Sequence, residues 1–250
     1  LHCRLTQHPI KDGNAQAEVL RVIGNDSLPG IELALTLARH DISDHWPDSV
    51  LSEAEALDEQ SLTPHMEGRT DLRELPFVTI DAPSAQDMDD ALFARADADG
   101  WRLFVAIADP TALVDPDSAI GHAASARGTS MYFPGEVRPM LPDAISTGLC
   151  SLVAGRPRLA LVCELHVQPD GGLGDFRLYE AVIQSAAKLS YEQVAALLDG
   201  FGDNVLMNLP DGVPDSLQTL GALSRALREW RTTQAILGEY RPDYRIRLDE

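Results

Sequence analysis

Four aspartates fall within ten residues of this chain, and this cluster constrains the fold more than any other feature of the sequence. They are Asp81, Asp87, Asp89 and Asp90. The flanking runs Phe77–Ile80 and Ala91–Ala96 are apolar, as in buried strands, so we predict that the carboxylates stand at strand ends. Carboxylates this close repel one another, and some must bind protons or share a cation. We expect a hard divalent cation with oxygen ligands, Mg²⁺ with Mn²⁺ as a substitute.

A solvated loop and other acidic motifs are the alternatives to a metal site. Acidic runs are usually solvated, but unpaired carboxylates between two apolar strands would be costly. An EF-hand counted from Asp81 would need Gly and Glu where this chain has Gln86 and Leu92. A glycosidase pair stays open on spacing, although it would leave two of the four aspartates without a role.

Composition sets weaker limits on function. The net charge of −19 is unusual for a nucleic-acid binder, but residues 41–100 carry 16 acidic and 3 basic side chains, so much of the excess surrounds the cluster. No apolar run approaches the roughly 20 residues of a membrane span. Cys3, Cys150 and Cys163 are odd in number and widely spaced, so we expect no disulfide framework, which fits a reducing cytoplasm. We therefore expect a cytoplasmic monomer, without membrane association or an obligate protein partner.

The chain divides into three parts by pattern. Residues 1–45 contain a β-hairpin typical of a small barrel, and then Ile31–Arg39, which periodicity leaves open as helix or strand. Residues 46–75 are an acidic connector with a short helix near Leu51–Leu57. Residues 76–250 are strand-rich and form an α+β domain that is unfinished at residue 250.

Two hairpins and three helices are predicted in this third part. The hairpins pair Ala91–Ala96 with Trp101–Ala108 and Leu159–Val167 with Phe176–Ser185. The helices are Asp117–Arg127 with Asp117 as N-cap and Gly128 as stop, Tyr191–Leu198 capped by Ser190, and a long helix from about Ser216 to Leu237.

Several ordered motifs resemble those of the RNase II/RNase R (RNB) family of 3′-to-5′ exoribonucleases. They are Phe77-Val-Thr-Ile-Asp81 with Gln86-Asp-Met-Asp-Asp-Ala-Leu-Phe93, Val105-Ala-Ile-Ala-Asp-Pro-Thr111, Met131-Tyr-Phe-Pro-Gly135, Met140-Leu-Pro142 and Leu149-Cys-Ser-Leu152. Within the family the first two are more similar to bacterial exoribonuclease II. Residues 1–45 resemble the end of the cold-shock (OB-fold) domain that precedes the RNB catalytic domain.

The resemblance implies Mg²⁺-dependent, processive hydrolysis of single-stranded RNA from the 3′ end, releasing nucleoside 5′-monophosphates. It implies that Asp81 and Asp90 bind the metal directly and that Asp87 binds it directly or through water. Asp89 would be the residue most critical to the chemical step, positioning a second metal or the attacking water.

The same resemblance assigns two tyrosines to RNA binding. Tyr132 would stack on a base near the scissile end, where the alternative is a half-buried strand tyrosine. Tyr191 would read the ribose 2′-hydroxyl, where the alternative is a tyrosine that packs on the preceding strand. A second base-clamping aromatic is expected near Leu237–Tyr244, where this chain has Gly238 with Tyr240 and Tyr244 as candidate substitutes.

The chain reads as a piece of something longer, since it begins at Leu1 and the family's catalytic domain continues past residue 250. The continuation would supply an active-site arginine and further RNA contacts. The alternative from another class is a catalytically incomplete RNA-binding or scaffold fragment, and a general phosphoesterase is a third reading.

Overall fold

The chain forms two compact units, Leu1–Asp48 and Ser49–Glu250, in a computed structural model that describes residues 1–25, 27–43, 45–201 and 208–234. The predicted positions of the second base-clamping aromatic therefore lie outside the described residues. None of the described helices is long and apolar enough to cross a membrane.

The first unit contains the predicted hairpin. Strands β1 (His2–Gln7) and β2 (Gln16–Arg21) are antiparallel, and a short helix, Pro9–Asp12, occupies the connection between them. Ile31–Arg39, which the sequence left open, is a helix that buries Ile31 and Leu37. The hairpin, the short helix Pro9–Asp12 and the helix Ile31–Arg39 are the described regular elements before residue 48.

A seven-stranded mixed sheet organises the second unit. Its strands are β3 (Thr70–Asp71), β4 (Val78–Asp81), β5 (Asp90–Asp97), β6 (Gly100–Ala108), β9 (Pro157–Val167), β10 (Leu173–Gln184) and β11 (Ala187–Ser190). A separate hairpin joins β7 (Met131–Phe133) to β8 (Glu136–Arg138). The order in the sheet is β11-β4-β5-β6-β9-β10-β3, with parallel pairing at the two ends and antiparallel pairing between. Both predicted hairpins, β5–β6 and β9–β10, are confirmed.

Both faces of the sheet carry apolar packing. On one face Phe77, Phe93 and Phe104 pack with ring centroids 5.5 to 6.4 Å apart. The other face packs on the long helix Val213–Thr233, where Leu223 joins a cluster with Leu103. Alternating side chains of β5, β6 and β9 thus contribute to two separate cores, one on each face of the sheet.

The helices follow the predicted signals with two differences. Ser118, not Asp117, caps the helix Ala119–Arg127, because its hydroxyl accepts the backbone N–H of Gly121. Gly128 ends that helix with φ of 72°, as expected of a glycine C-cap. The long helix begins at Val213, three residues before the predicted start, and the predicted end at Leu237 lies outside the described residues.

The acidic segment before the sheet is structured rather than a plain connector. It contains the helix Asp48–Glu55, the 3₁₀ helix Glu59–Leu62 and the helix Thr63–Met66. Leu62 is almost fully buried against Leu149 and Leu159. Apolar packing, which acidic composition hides, fixes this segment on the second unit. The three-part division of the chain stays a proposal.

Candidate active site

The ends of two neighbouring strands bring the aspartate cluster to one edge of the sheet. Asp81 is the last residue of β4 and Asp90 is the first residue of β5. These strands are antiparallel neighbours, so the end of one lies beside the start of the other. The intervening loop, residues 82–89, carries Asp87 and Asp89 at the same edge. The predicted strand-end position of the cluster is therefore confirmed.

The second half of this loop is held by two buried residues, Ser151 and Leu152. Met88 is 4% exposed and joins the phenylalanine core, so its neighbours in sequence stay outside that core. Its backbone N–H donates to the Ser151 hydroxyl at 3.0 Å, and its carbonyl accepts the N–H of Leu152 at 2.9 Å. The Ser151 hydroxyl donates in turn to the carbonyl of Gln86 at 2.7 Å. These bonds fix the backbone on both sides of Asp87.

A lysine holds the first half of the loop. The ammonium of Lys188, on β11, donates to the carbonyls of Pro83, at 3.2 Å, and Ala85. β11 pairs in parallel with β4, and Ser190 lies opposite Asp81. Lys188 is therefore close enough to Asp81 for its charge to act on that carboxylate.

Burial and the charges of neighbouring aspartates raise the pKa of two members of the cluster, Asp81 and Asp89. Partial burial, followed by the negative charge of Asp90, raises the pKa of Asp81, although the charge of Lys188 partly offsets this. Partial burial and then the charges of Asp87, Asp90 and Asp81 raise the pKa of Asp89. The charges of the other aspartates thus act on Asp81 and Asp89, in agreement with the repulsion that the sequence predicted.

The donor chemistry of the cluster fits a hard divalent cation. Among the described residues, no three His, Cys, Asp or Glu side chains converge closely enough to hold a metal ion by themselves. Mg²⁺ does not need such a cage, since it usually keeps several waters and takes one or two carboxylates together with substrate phosphate oxygens. The mutual repulsion within the cluster is the observation that a cation would relieve.

An open cleft of about 810 Å³ lies beside the loop. Its lining includes Asp87, Asp89, Ile107, Tyr132, Val137 and Thr147. Asp81, Asp90 and Tyr191 are not among the lining residues. A second cavity of about 800 Å³ is lined by residues such as Arg95 and Tyr179, and no member of the cluster borders it. The first cleft is the better candidate for a substrate site because it combines carboxylates, an aromatic ring and apolar walls.

Tyr132 contacts the cluster directly. It lies on the β7–β8 hairpin, is 65% exposed, and its hydroxyl donates to Asp87 at 2.7 Å. This hydrogen bond to Asp87, with partial burial, raises the pKa of Tyr132 to about 12. The tyrosine stays protonated and presents most of its ring to the cleft. Tyr132 is a strand residue, as in the alternative, but it is mostly exposed rather than half-buried, and its stacking on a base stays a prediction.

Tyr191 lies on the same edge of the sheet but outside the cleft lining. It is the first residue of the helix Tyr191–Leu198, directly after Ser190, whose hydroxyl accepts the N–H of Gln193 in a capping box. Tyr191 is 61% exposed, so most of its ring is free of the preceding strand. Most of this residue is therefore exposed to solvent.

Three supporting residues were assigned no role from the sequence. Ser151 and Lys188 hold the aspartate loop, and Asp109 forms a buried ion pair with Arg69 at 2.6 Å. Ser151 and Asp109 lie within motifs of the family resemblance, but the motif alone does not separate support from catalysis. Asp109 is 2% exposed and belongs to a different set of contacts from the four aspartates.

Family models match both units of the chain. An RNB domain matches residues 69–250 and a cold shock domain matches residues 1–47. Ribonuclease R of Vibrio parahaemolyticus is 40% identical over 228 residues, which cover 91% of this chain and 27% of that protein. Exoribonuclease 2 of Pectobacterium atrosepticum is 37% identical over 249 residues, which cover 98% of this chain and 37% of that protein.

Solved structures agree with these matches. Mycoplasma genitalium RNase R in complex with double-stranded RNA superposes with a TM-score of 0.86 at 30% identity, over 93% of this chain and 41% of that one. Yeast Ssd1, described as a pseudonuclease, shares the fold with a TM-score of 0.65 at 17% identity. This chain spans 27 to 41% of the length of the two ribonucleases R and the exoribonuclease 2. The predicted family is confirmed: the chain belongs to the RNB family of exoribonucleases.

Proposed function

We propose that this chain carries the metal-binding half of an exoribonuclease that degrades single-stranded RNA processively from its 3′ end. The products are nucleoside 5′-monophosphates. The observation that carries the proposal is the juxtaposition of Asp87, Asp89 and the exposed ring of Tyr132 in one cleft, directly beside the strand ends that bear Asp81 and Asp90. The M. genitalium RNase R structures contain double-stranded or ribose-methylated single-stranded RNA, which supports RNA as the ligand.

Asp81, Asp87, Asp89 and Asp90 would hold Mg²⁺, with Mn²⁺ as a substitute. When bound, the ion supplies charge neutralisation at the phosphate and activation of water. Asp89 is partly buried and borders the cleft, which supports a role in positioning a second metal or the attacking water. Asp81 and Asp90 are carried by regular strands, which keep their positions more rigidly than a loop would.

Two tyrosines would recognise the RNA. The ring of Tyr132 offers a stacking surface that suits every base, as an enzyme without sequence preference requires. The exposed hydroxyl of Tyr191 would donate to or accept from the ribose 2′-hydroxyl, the group that separates RNA from DNA. Both assignments come from the family resemblance, and the exposure of the two side chains, 65% for Tyr132 and 61% for Tyr191, supports them.

The alternative is a catalytically incomplete RNA-binding or scaffold fragment. The specific observation in its favour is coverage, since the chain spans only part of each relative and the donors that neutralise transition-state charge would come from elsewhere. The Ssd1 likeness concerns the fold alone and does not favour either reading. We further propose a cytoplasmic protein, because the three thiols are free, as in a reducing compartment. The monomeric state stays an expectation from the sequence.

The decisive experiment incubates a labelled single-stranded RNA with the full-length protein and Mg²⁺. Release of 5′-monophosphates that EDTA abolishes supports the nuclease, and RNA binding without release supports the scaffold. Asp89→Asn is the key variant, with RNA binding expected to persist while hydrolysis is lost. Asp99→Asn, on the β5–β6 turn away from the cleft, is the matched control and should keep wild-type turnover. Unchanged turnover in Asp89→Asn contradicts the assigned role.

A further inference from the structure

A buried arginine contacts residues 148–151, the segment that contains Ser151, which holds the aspartate loop. Arg158, on β9, is 2% exposed. Its guanidinium donates to both carboxylate oxygens of Glu59, at 3.0 and 3.1 Å. It also donates to three backbone carbonyls, those of Pro157 at 2.9 Å, Gly148 at 3.3 Å and Ser151 at 3.0 Å. Every nitrogen of this charged group is hydrogen-bonded, which is what a buried arginine requires.

The carboxylate that pairs with Arg158 stands on a rigid support. Glu59 begins the 3₁₀ helix Glu59–Leu62, whose start is fixed by a capping box between Asp58 and Ser61. Leu62, at the other end of this helix, is 1% exposed within an apolar cluster. The pair therefore ties the acidic segment to residues 148–151, at the end of the π-helix Ala144–Leu149.

Ser151, in this segment, holds the backbone of the aspartate loop. The Nε of Arg158 fixes the carbonyl of Ser151, while the Ser151 hydroxyl bonds to the backbone of Gln86 and Met88. Ser151 is fully buried, so water cannot replace these bonds. A continuous set of contacts thus runs from Glu59 through Arg158 and Ser151 to the residues on either side of Asp87.

We propose that the Glu59–Arg158 ion pair positions the aspartate loop through Ser151 and thereby sets the geometry of Asp87 and Asp89. Neither residue of the pair touches the cleft, so both are positioning residues rather than catalytic ones. The effect on turnover rests on the proposed nuclease function, whereas the effect on the loop backbone does not.

The test uses three variants of the same ion cluster in the full-length protein. Glu59→Ala removes the partner of Arg158. Arg156→Ala is the matched control, because Arg156 bonds to the same carboxylate at 2.7 Å but its side chain is 61% exposed and no loop residue is among its hydrogen-bond partners. Glu59→Gln keeps the shape and one acceptor oxygen and serves if Glu59→Ala fails to fold.

Hydrogen exchange at the Met88 and Leu152 amides reads the loop directly. In Glu59→Ala both amides should exchange about tenfold faster, the factor that corresponds to losing roughly one net hydrogen bond. Glu59→Gln should show an increase of about threefold, because it loses the charge but keeps part of the bonding. Arg156→Ala should match the wild type.

Kinetics separate positioning from a purely structural role. In Glu59→Ala, kcat for RNA hydrolysis should fall about tenfold while KM and RNA affinity stay within about twofold, and Arg156→Ala should change neither. A lower Tm with unchanged Met88 exchange and unchanged kcat in either Glu59 variant would overturn the proposal. A wild type that does not cleave RNA would refute the nuclease function alone, and the exchange measurement would still decide the positioning of the loop.

Discussion

The hydroxyl of Tyr132 donates a 2.7 Å hydrogen bond to the carboxylate of Asp87. The residue proposed to stack on the terminal base is thus joined to a residue proposed to hold the metal. The hydrogen bond to Asp87 therefore orients the Tyr132 ring on which a base would stack. Ring and hydroxyl therefore have separable contributions, which substitution can distinguish.

Tyr132→Phe should lower turnover about three- to tenfold, because Asp87 loses roughly one hydrogen bond, and should leave the length of the final resistant oligonucleotide unchanged. Tyr132→Ala removes the ring as well, and with it a stacking free energy of about 1–3 kcal/mol per base. The resistant oligonucleotide should therefore become longer. Gel analysis of limit digests measures both. Equal product lengths for wild type and Tyr132→Ala would rule out stacking.

Tyr191→Phe should reduce the preference for RNA over DNA about five- to tenfold, the contribution of one hydrogen bond to a 2′-hydroxyl. Competition binding with RNA and DNA of the same sequence measures this ratio. Thermal stability serves as the control and should not change, since Tyr191 is 61% exposed. A constant ratio together with a lower Tm would leave only a packing role.

Arg69→Met should destabilise the protein by about 3–5 kcal/mol, because it leaves the carboxylate of Asp109 buried without its partner. Urea unfolding at pH 7 measures the change in the free energy of unfolding. Arg73→Met is the matched control, since its pair with Asp71 is exposed and should contribute little. Similar urea midpoints for both variants would contradict the buried pair.

The contribution of Asp109 should depend on pH. Burial by itself would raise the pKa of Asp109, but hydrogen bonds from Thr111 and Arg69, with the charge of Arg69, hold it below its usual value. A carboxyl whose pKa is lower in the folded state stabilises fully above its unfolded pKa of about 3.9. That stabilisation is lost as the pH falls through the folded pKa. The difference in unfolding free energy between wild type and Asp109→Asn should therefore be large at pH 7 and shrink below about pH 4.

The parts of the structure that local sequence patterns specify were predicted well. Apolar runs with turns rich in Asp and Gly gave both hairpins of the large sheet, and Ser190 gave the start of the helix after β11. The cap at Ser118 was misplaced by one residue because Asp117 is equally suited to capping by type. Which oxygen reaches the helix depends on backbone geometry that composition does not encode.

The supports of the site could not be predicted from local patterns. Ser151 and Lys188 meet the aspartate loop through pairings that depend on the order of strands in the sheet. The packing of Leu62 was also not predictable, since leucines at irregular spacing in an acidic segment carry no periodic signal. Long-range contacts of this kind depend on the order of the strands in the sheet. In this sequence only the family motifs carry information about that order.

The two-sided anchoring of the aspartate loop bears on how this chemistry can be moved between proteins. A graft of residues 77–97 would carry all four carboxylates onto a new scaffold. It would leave behind Ser151, 63 residues beyond Met88, and Lys188, 105 residues beyond Pro83. Such a graft would contain the four aspartates without the contacts that position them. The transferable unit is therefore the whole chain segment from β4 through β11, which includes Ser151 and Lys188, rather than the motif.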